Sequence, residues 1–441
     1  MVAGQGGDAG SGPALPDAPA AASDAPAATP GALAAAPGAL AATASVPSEG
    51  SRELAAFVFA AAAALIYGLS NPQAATPYDQ TFLFARVLLG GELGIDHPRS
   101  WLELVPGENL HYSVFPLGAV LTLVPAAALS FTGWFSVVPV AGLSAVIGGG
   151  MAFFSWRLAE SVPATPGQRF LLATFPVFGT WSWANVLNGG AWQLALGFAV
   201  VGLLGALHFS RCRPSPVLCG AFFALAFGNR TELILAAPLF AWLLAERSAP
   251  PLLSPANLRR VAGFCLVPFV LGVATLAYNY ARFHSIFDFG YERIPYLLDD
   301  PFYADGFFSW RGIEPNLRVM FLTPWASHGE FPWIRPNGAG ESILLVSPAL
   351  LLCLRARSRH PVHSLLALVY IIILTMVLWL HGNAGGYQFA YRYGMILIPF
   401  FFWILLESSP ERPRVLDTSL YLLSFLANAW AVYAFYWGRL V

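Results

Sequence analysis

The chain has 441 residues, of which 57% are hydrophobic, 14% aromatic and only 11% charged, with a formal net charge of −1 and a mean hydropathy of +0.61. A soluble domain carries about 25% charged residues, so the composition excludes an ordinary soluble enzyme, a disordered chain and a disulfide scaffold, and leaves a polytopic membrane protein. All 23 basic residues are Arg, which excludes lysine Schiff-base and P-loop chemistry, and the near-zero net charge gives no field to attract nucleic acid.

Residues 1–50 are mostly Ala, Pro, Gly and Ser, and the first Arg is Arg52. They lack the basic start and apolar core of a secretory signal and have little to bury, so they read as a disordered cytoplasmic tail. Residues 51–441 read as an all-α transmembrane domain of about 11 spans, within a range of about 10–13. The apolar runs fall at 53–70, 133–155, 169–186, 190–208, 214–228, 230–246, 259–281, 341–354, 362–380, 391–408 and 417–437. Pro139, Pro176, Pro238, Pro268 and Pro399 lie inside runs and are expected as kinks. The runs around 214–246 are short for two spans, so the turn from Gly228 to Glu232 is expected to dip below the membrane surface.

Arginine placement orients the chain. Arg157 and Arg169, Arg211 and Arg213, Arg247 with Arg259 and Arg260, Arg355 with Arg357 and Arg359, and Arg412 with Arg414 mark five loops that are cytoplasmic together. The outer loops are then 71–132, 185–190, 228–232, 282–340 and 381–391, the first and fourth of them long. This holds if 112–130, apolar enough to span, is a re-entrant or surface helix. The protein is then expected in the cell membrane, its N-terminus cytoplasmic.

The first outer loop carries Asp79, followed by an amphipathic stretch from Thr81 to Leu93, Asp96-His97 and the corner His111-Tyr112-Ser113-Val114-Phe115-Pro116-Leu117-Gly118. Phe82, Ala85, Val87, Leu88 and Leu89 predict a helix lying on the membrane. A carboxylate at the membrane surface suits removal of a proton from an acceptor hydroxyl. The structural alternative for Asp79 is a helix N-cap. Arg392 stands where an outer loop enters a span, and guanidinium pairs bidentately with phosphate; interfacial snorkelling is its alternative. Arg230 and Glu232 form a second charged pair at membrane depth, where ionisable groups are functional by default; mutual neutralisation is the alternative. Loop 282–340 is rich in aromatics and acids, which fits both sugar binding and an interfacial aromatic belt. Asp299-Asp300 and the scattered His97, His111, His328 and His381 are weak metal signals. The four cysteines have no metal-ligand spacing.

Taken in chain order, these features resemble the GT-C superfamily of integral-membrane glycosyltransferases, and within it the branch of dolichyl- or polyprenyl-phosphate-sugar-dependent mannosyltransferases and aminoarabinose transferases. Asp79 matches the family's first-loop Asp. Residues 112–118 resemble its Tyr-x-x-Pro-Pro-Gly corner. Loop 282–340 follows the seventh expected span, as the family's long loop does. Gly385-Gly386-Tyr387-Gln388-Phe389-Ala390-Tyr391-Arg392-Tyr393 is similar to its Gly-Gly-x-x-x-Gly-x-Arg-Tyr motif. The likeness covers roughly 50–440 as architecture. It implies transfer of a sugar, with inversion, from a polyprenyl-phosphate donor to a glycan, lipid or protein acceptor on the extracytoplasmic face. Asp79 would deprotonate or orient the acceptor, and Arg392, with Arg230, would stabilise the departing phosphate. Tyr112, His111, Asp96 and Tyr391 complete the substrate-binding candidates. The family often places a second acid in the next outer loop, to hold a metal or the donor phosphate; here that loop, Asn185 to Gly190, has none. No cofactor is therefore assigned, and a divalent metal is carried as an alternative. Asn188 or Gln193 is placed to bond a sugar or, in the case of Asn188, to cap a helix. The competing functions are a transporter or lipid flippase and a non-catalytic scaffold of envelope assembly.

Overall fold

The structure, a computed structural model, describes residues 48–441 apart from 74, 100, 247–250, 252–253, 298 and 356. Most of the expected tail and Arg247 lie outside the described residues. The described chain is mostly helical.

Ser48 caps the first helix, α1 (Glu49–Ser70), by accepting from the Ser51 amide at 3.3 Å. Next come α2 (Gln80–Leu89), a hairpin of β1 (Leu104–Pro106) and β2 (His111–Ser113), and two short helices, α3 (Leu117–Thr122) and α4 (Val124–Ser130). At about 1.5 Å per residue neither α3 nor α4 reaches across a bilayer. The chain continues through α5 (Val140–Ala159), α6 (Pro166–Phe178), α7 (Ser182–Leu187), α8 (Ala191–Arg211), α9 (Pro216–Asn229), α10 (Ala237–Glu246) and α11 (Pro255–Phe283). The long loop holds α12 (Ile313–Leu317) and a hairpin of β3 (Ala326–Ser327) and β4 (Ile334–Arg335). The chain closes with α13 (Ile343–Val346), α14 (Pro361–Leu380), α15 (Ile398–Ser408) and α16 (Val415–Tyr436). The two hairpins amend the all-helical expectation.

Among the described residues five helices are long and apolar enough to cross a membrane: α1, α8, α11, α14 and α16. Several other runs expected as single spans are broken, and proline accounts for most of the breaks. A 3₁₀ turn over Thr231–Ala236 precedes α10, another over Arg392–Leu397 precedes α15, and Pro238 and Pro399 stand in the first turns of those helices. There the missing N–H costs nothing, because first-turn donors have no intrahelical partner. Pro348 opens the 3₁₀ run Pro348–Leu354 just after α13. The run 169–186 divides after α6, where the Thr180 and Ser182 hydroxyls both donate to the Pro176 carbonyl at 2.9 Å. Of the prolines expected as kinks, Pro176 lies in the last turn of α6 and Pro268 well inside α11.

α8 is buried along nearly its whole length and forms the centre of the bundle, while α1 and α11 leave most of their apolar surface exposed, as lipid-facing helices do. The buried face of α2 departs from the surface-helix expectation. Phe82 and Ala85 are buried by protein, with Phe82 against Phe135 at 6.3 Å, and only Leu89 of the expected apolar set is exposed.

Side-chain contacts sort the connections into two ends. At one, Arg213 pairs with Glu49 and Glu53, Arg211 with Glu407, Arg355 with Asp417, and Arg359 donates to the Leu406, Ser409 and Pro163 carbonyls. At the other, Asn71 bonds the Leu187 carbonyl, Arg282 the Ser113 carbonyl, Asn229 the Thr122 hydroxyl, Asn185 the Phe389 carbonyl, and Asn316 the His381 carbonyl. This second, loop-rich end gathers segments from 71–132, 185–190, 228–232, 282–340 and 381–391.

Candidate functional site

Two groups of sequence-named residues lie at the loop-rich end. The first centres on Tyr393. The Arg230 guanidinium carbon stands 5.5 Å from the Tyr393 ring centre, and the Arg392 guanidinium carbon 5.1 Å from the same ring. The His381 ring lies 5.6 Å from Tyr393, and Tyr303 lies 5.9 Å from His381. Segments more than 160 residues apart thus meet at one aromatic ring.

The two arginines differ in their compensation. Arg230 is paired with Glu232, through Nε at 2.8 Å and Nη2 at 2.7 Å. Arg392 is 9% exposed and, among the described residues, has no carboxylate within 4.0 Å. Its Nη1 donates to the Gly386 carbonyl at 3.0 Å and its Nη2 to the Tyr393 hydroxyl at 3.3 Å; its Nε is buried without a partner. Such a donor is costly to leave unmet. Arg282, also buried without a carboxylate at bonding distance, is different. It donates to Ser113, Tyr278 and Asn279 and lies 3.8 Å over the Tyr278 ring, so its needs are met within the protein.

Half-buried Glu103, just before β1, faces the same field. Burial raises its carboxyl above the usual range, and Arg392 pulls it back. Burial lowers His381, which favours the neutral ring, and the Arg230 and Arg392 charges push the same way. Its Nδ1 lies 2.8 Å from the Asn383 carbonyl. The Tyr303 hydroxyl is raised by burial and stays protonated. The cluster is therefore two guanidiniums, one of them neutralised by Glu232, with neutral donors and the Glu103 carboxyl around them.

The loop bearing Arg392 is held by its neighbours. Ala390 and Tyr387 have φ of 51° and 41°, a left-handed backbone uncommon outside glycine. Asn185 clamps Phe389, donating to its carbonyl at 2.7 Å and accepting its amide at 3.3 Å. Asn188, read from the sequence as a sugar ligand or a helix cap, stands at the C-cap position of α7.

The second group surrounds Asp79, whose side chain is 14% exposed. α2 starts at Gln80, so Asp79 occupies the N-cap position, yet its carboxylate makes no capping bond. It pairs with Arg99 Nη1 at 2.8 Å instead. Ala191 donates to the Tyr78 carbonyl at 2.9 Å, and Trp101 Nε1 to the Pro77 carbonyl at 2.9 Å, which fixes the backbone ahead of Asp79. The Tyr78 and Trp192 rings meet edge to face at 5.6 Å. Among the described residues no hydrogen bond or ion pair joins Asp79 to the Tyr393 cluster.

The remaining candidates fall outside both groups. Asp96 is exposed beside His97, 3.6 Å away. Tyr112 packs edge to face on Phe283 at 5.8 Å and carries the small core of Val105 and Val114. His111 exchanges backbone bonds with Ile95, and its Nδ1 is buried without a partner. The Tyr391 hydroxyl is spent on Asn316 at 2.8 Å. The corner at Pro116-Leu117-Gly118 is a packing device: a side chain at Gly118 would collide with the Gly228 backbone, so the glycine lets α3 lie on the end of α9. Among the described residues no three His, Cys, Asp or Glu are grouped to hold a metal ion. Glu103, Asn383 and Arg99 carry no sequence signal: Glu103 matters through Arg392 from a distant segment, and no motif or periodicity links Asn383 to His381 or Arg99 to Asp79.

No family model matches this sequence, and no curated protein matches it. Among solved structures the chain is similar to the Archaeoglobus fulgidus oligosaccharyltransferase in the apo form, at 13% identity and a TM-score of 0.37, over 86% of this chain. This chain spans 56% of the length of that one, and a likeness this loose carries no argument about fold or activity.

Proposed function

We propose that this chain is an integral-membrane glycosyltransferase that moves a sugar from a polyprenyl-phosphate donor to an acceptor hydroxyl at the loop-rich end. The observation that supports this most is Arg392, a buried guanidinium with an unmet Nε and no carboxylate within 4.0 Å. A sugar phosphodiester carries one negative charge. Arg230 is already balanced by Glu232, so Arg392 supplies the one charge such a donor needs.

In this reading the bond between the anomeric carbon and the phosphate oxygen breaks. The electron pair leaves on the lipid phosphate, beside Arg392. The acceptor oxygen attacks from the opposite face, and its proton passes to Asp79. Positioned charge at the leaving group is the main source of rate. The bridge from Arg392 to Asp79 is made by the two substrates. On this reading the Arg-rich end faces the cytoplasm, about eleven spans join it to the loop-rich end, and the donor arrives through the lipid phase on the outer face of the cell membrane.

The test uses a deletion strain of the source organism complemented with wild type, Asp79→Asn or Arg392→Gln at matched membrane levels, with envelope glycans and lipid-linked sugars profiled by mass spectrometry. A glycan restored only by wild type, with a sugar-loaded polyprenyl phosphate accumulating in both variants, is the expected result. Full restoration by Asp79→Asn would move a lipid transporter or a non-catalytic scaffold ahead of the transferase.

A further inference from the structure

Arg392 is held by a second loop that has no part in the chemistry described so far. Residues 337–341 (Asn337-Gly338-Ala339-Gly340-Glu341) lie along residues 388–390. The Gln388 amide donates to the Gly338 carbonyl at 2.8 Å, and the Gln388 side chain to the Ala339 carbonyl at 2.9 Å. The same Gln388 side chain accepts from the Arg392 amide at 3.2 Å. Asn337 folds the loop onto itself, its Oδ1 accepting from Ala339 at 2.8 Å and Gly340 at 2.9 Å. Gly340 has a φ of 110°, and a Cβ there would stand 2.8 Å from the Ala390 carbonyl oxygen.

At the centre of this contact is Glu341, fully buried. Its two carboxylate oxygens serve two segments: Oε1 accepts the Asn337 amide at 2.6 Å, and Oε2 accepts the Ala390 amide at 3.0 Å. Ala390 is the left-handed residue two positions before Arg392. A strained backbone persists only where its surroundings over-determine it. A buried carboxylate with no cationic partner is equally expensive, and backbone N–H groups are what compensate it. Each feature accounts for the other.

We propose that Glu341 is a positioning residue: by bonding Asn337 and Ala390 at once it locks loop 337–341 onto 388–390 and so fixes the direction in which Arg392 meets an anionic lipid. This rests on the donor-site reading of Arg392. It also ties the long loop 282–340 to that arginine, since residues 337–340 end it and Glu341 follows directly. Gln at 341 has the same shape but only one acceptor oxygen, so one of the two amides loses its partner.

The test uses the full chain in lipid nanodiscs, with a polyprenyl monophosphate as probe, and measures affinity and melting temperature for wild type, Glu341→Gln, Arg392→Gln and the double variant. Glu341→Gln is expected to keep a near-native melting temperature and to weaken binding about tenfold, with the double variant no weaker than Arg392→Gln alone. That non-additivity marks action through Arg392, which general loosening would not produce. If Glu341→Gln does not fold, Asn337→Ala loosens the same loop more gently and is held to the same two criteria. Unchanged affinity in the folded variant, or weakening that adds to that of Arg392→Gln, overturns the proposal. An Arg392→Gln variant that binds as wild type overturns the donor-site reading and the inference with it, whereas weak Arg392→Gln beside unaffected Glu341→Gln overturns the inference alone.

Discussion

Arg211 and Arg392 stand at opposite ends of the bundle and are compensated differently: Arg211 by Glu407, Arg392, among the described residues, by no carboxylate within 4.0 Å. At the Arg-rich end two buried carboxylates take part in staples between helices. Arg211 joins the end of α8 to Glu407 of α15 at 2.5 Å, and Arg355 joins the segment before α14 to Asp417 of α16. Arg359 gives all its reach to three carbonyls. At the loop-rich end Arg392 keeps one buried donor unmet beside a second cation over the same tyrosine ring. Charge that is matched at folding stabilises; charge left unmatched is available to a ligand. The residue type is the same; what sets Arg392 apart from Arg282 and Arg359, which also lack a carboxylate partner among the described residues, is the buried Nε that none of those residues meets.

The largest expected effect breaks the first half of that contrast. Glu407 is 1% exposed and also accepts from Trp403 at 3.2 Å. Glu407→Ala leaves Arg211 buried without its partner, and loss of one member of a buried pair costs about 3–5 kcal/mol. Thermal unfolding in nanodiscs should show a large fall in melting temperature. A variant as stable as wild type would mean that the Arg-rich end is no more stapled than the other.

Arg392→Gln tests the second half. It removes charge-assisted bonds to an anion worth about 1.5–3 kcal/mol, roughly 10- to 150-fold in affinity. Stability should barely move, because the lost guanidinium was itself incompletely satisfied. Binding of a polyprenyl monophosphate is the measurement, and a melting temperature that falls as far as for Glu407→Ala would place Arg392 among the staples. Next comes Gly118→Leu, which forces a side chain into the Gly228 backbone and should cost about 1–3 kcal/mol as overpacking does. It should also displace the turn that carries Arg230, so anion affinity is expected to fall together with stability.

The sequence already pointed to the unusual arginines. Arg392 stood out by standing where an outer loop enters an apolar run, and the pair Arg230 and Glu232 by sitting in a turn between two runs too short to span. What escaped it was convergence. Glu103, Glu341 and Asn185 have no periodicity or spacing that links them to residues 388–393, since loops 50 to 290 residues apart meet only in three dimensions. Asn185 and Asn188 read alike as sequence, and the turn of α7 decides which one faces Phe389. The broken runs escaped for a related reason. Hydropathy reports that 230–246 and 391–408 are apolar, but Pro238 and Pro399 decide where the 3₁₀ turn gives way to α-helix.

The smallest expected change in stability is at Arg99, and it bears most directly on Asp79. The Arg99 side chain is 40% exposed, so its pair with Asp79 at 2.8 Å is a surface pair worth no more than about 1 kcal/mol. Arg99→Gln and Asp79→Asn both remove that pair, and both should leave the melting temperature close to wild type. They separate in function. If Asp79 serves only to hold Arg99, the two variants restore the envelope glycan to the same extent in a complemented deletion strain. If Asp79 receives the acceptor proton, Asp79→Asn abolishes restoration while Arg99→Gln, which leaves the carboxylate in place, retains most of it. The double variant should then match Asp79→Asn, since nothing further is lost once the proton acceptor is gone.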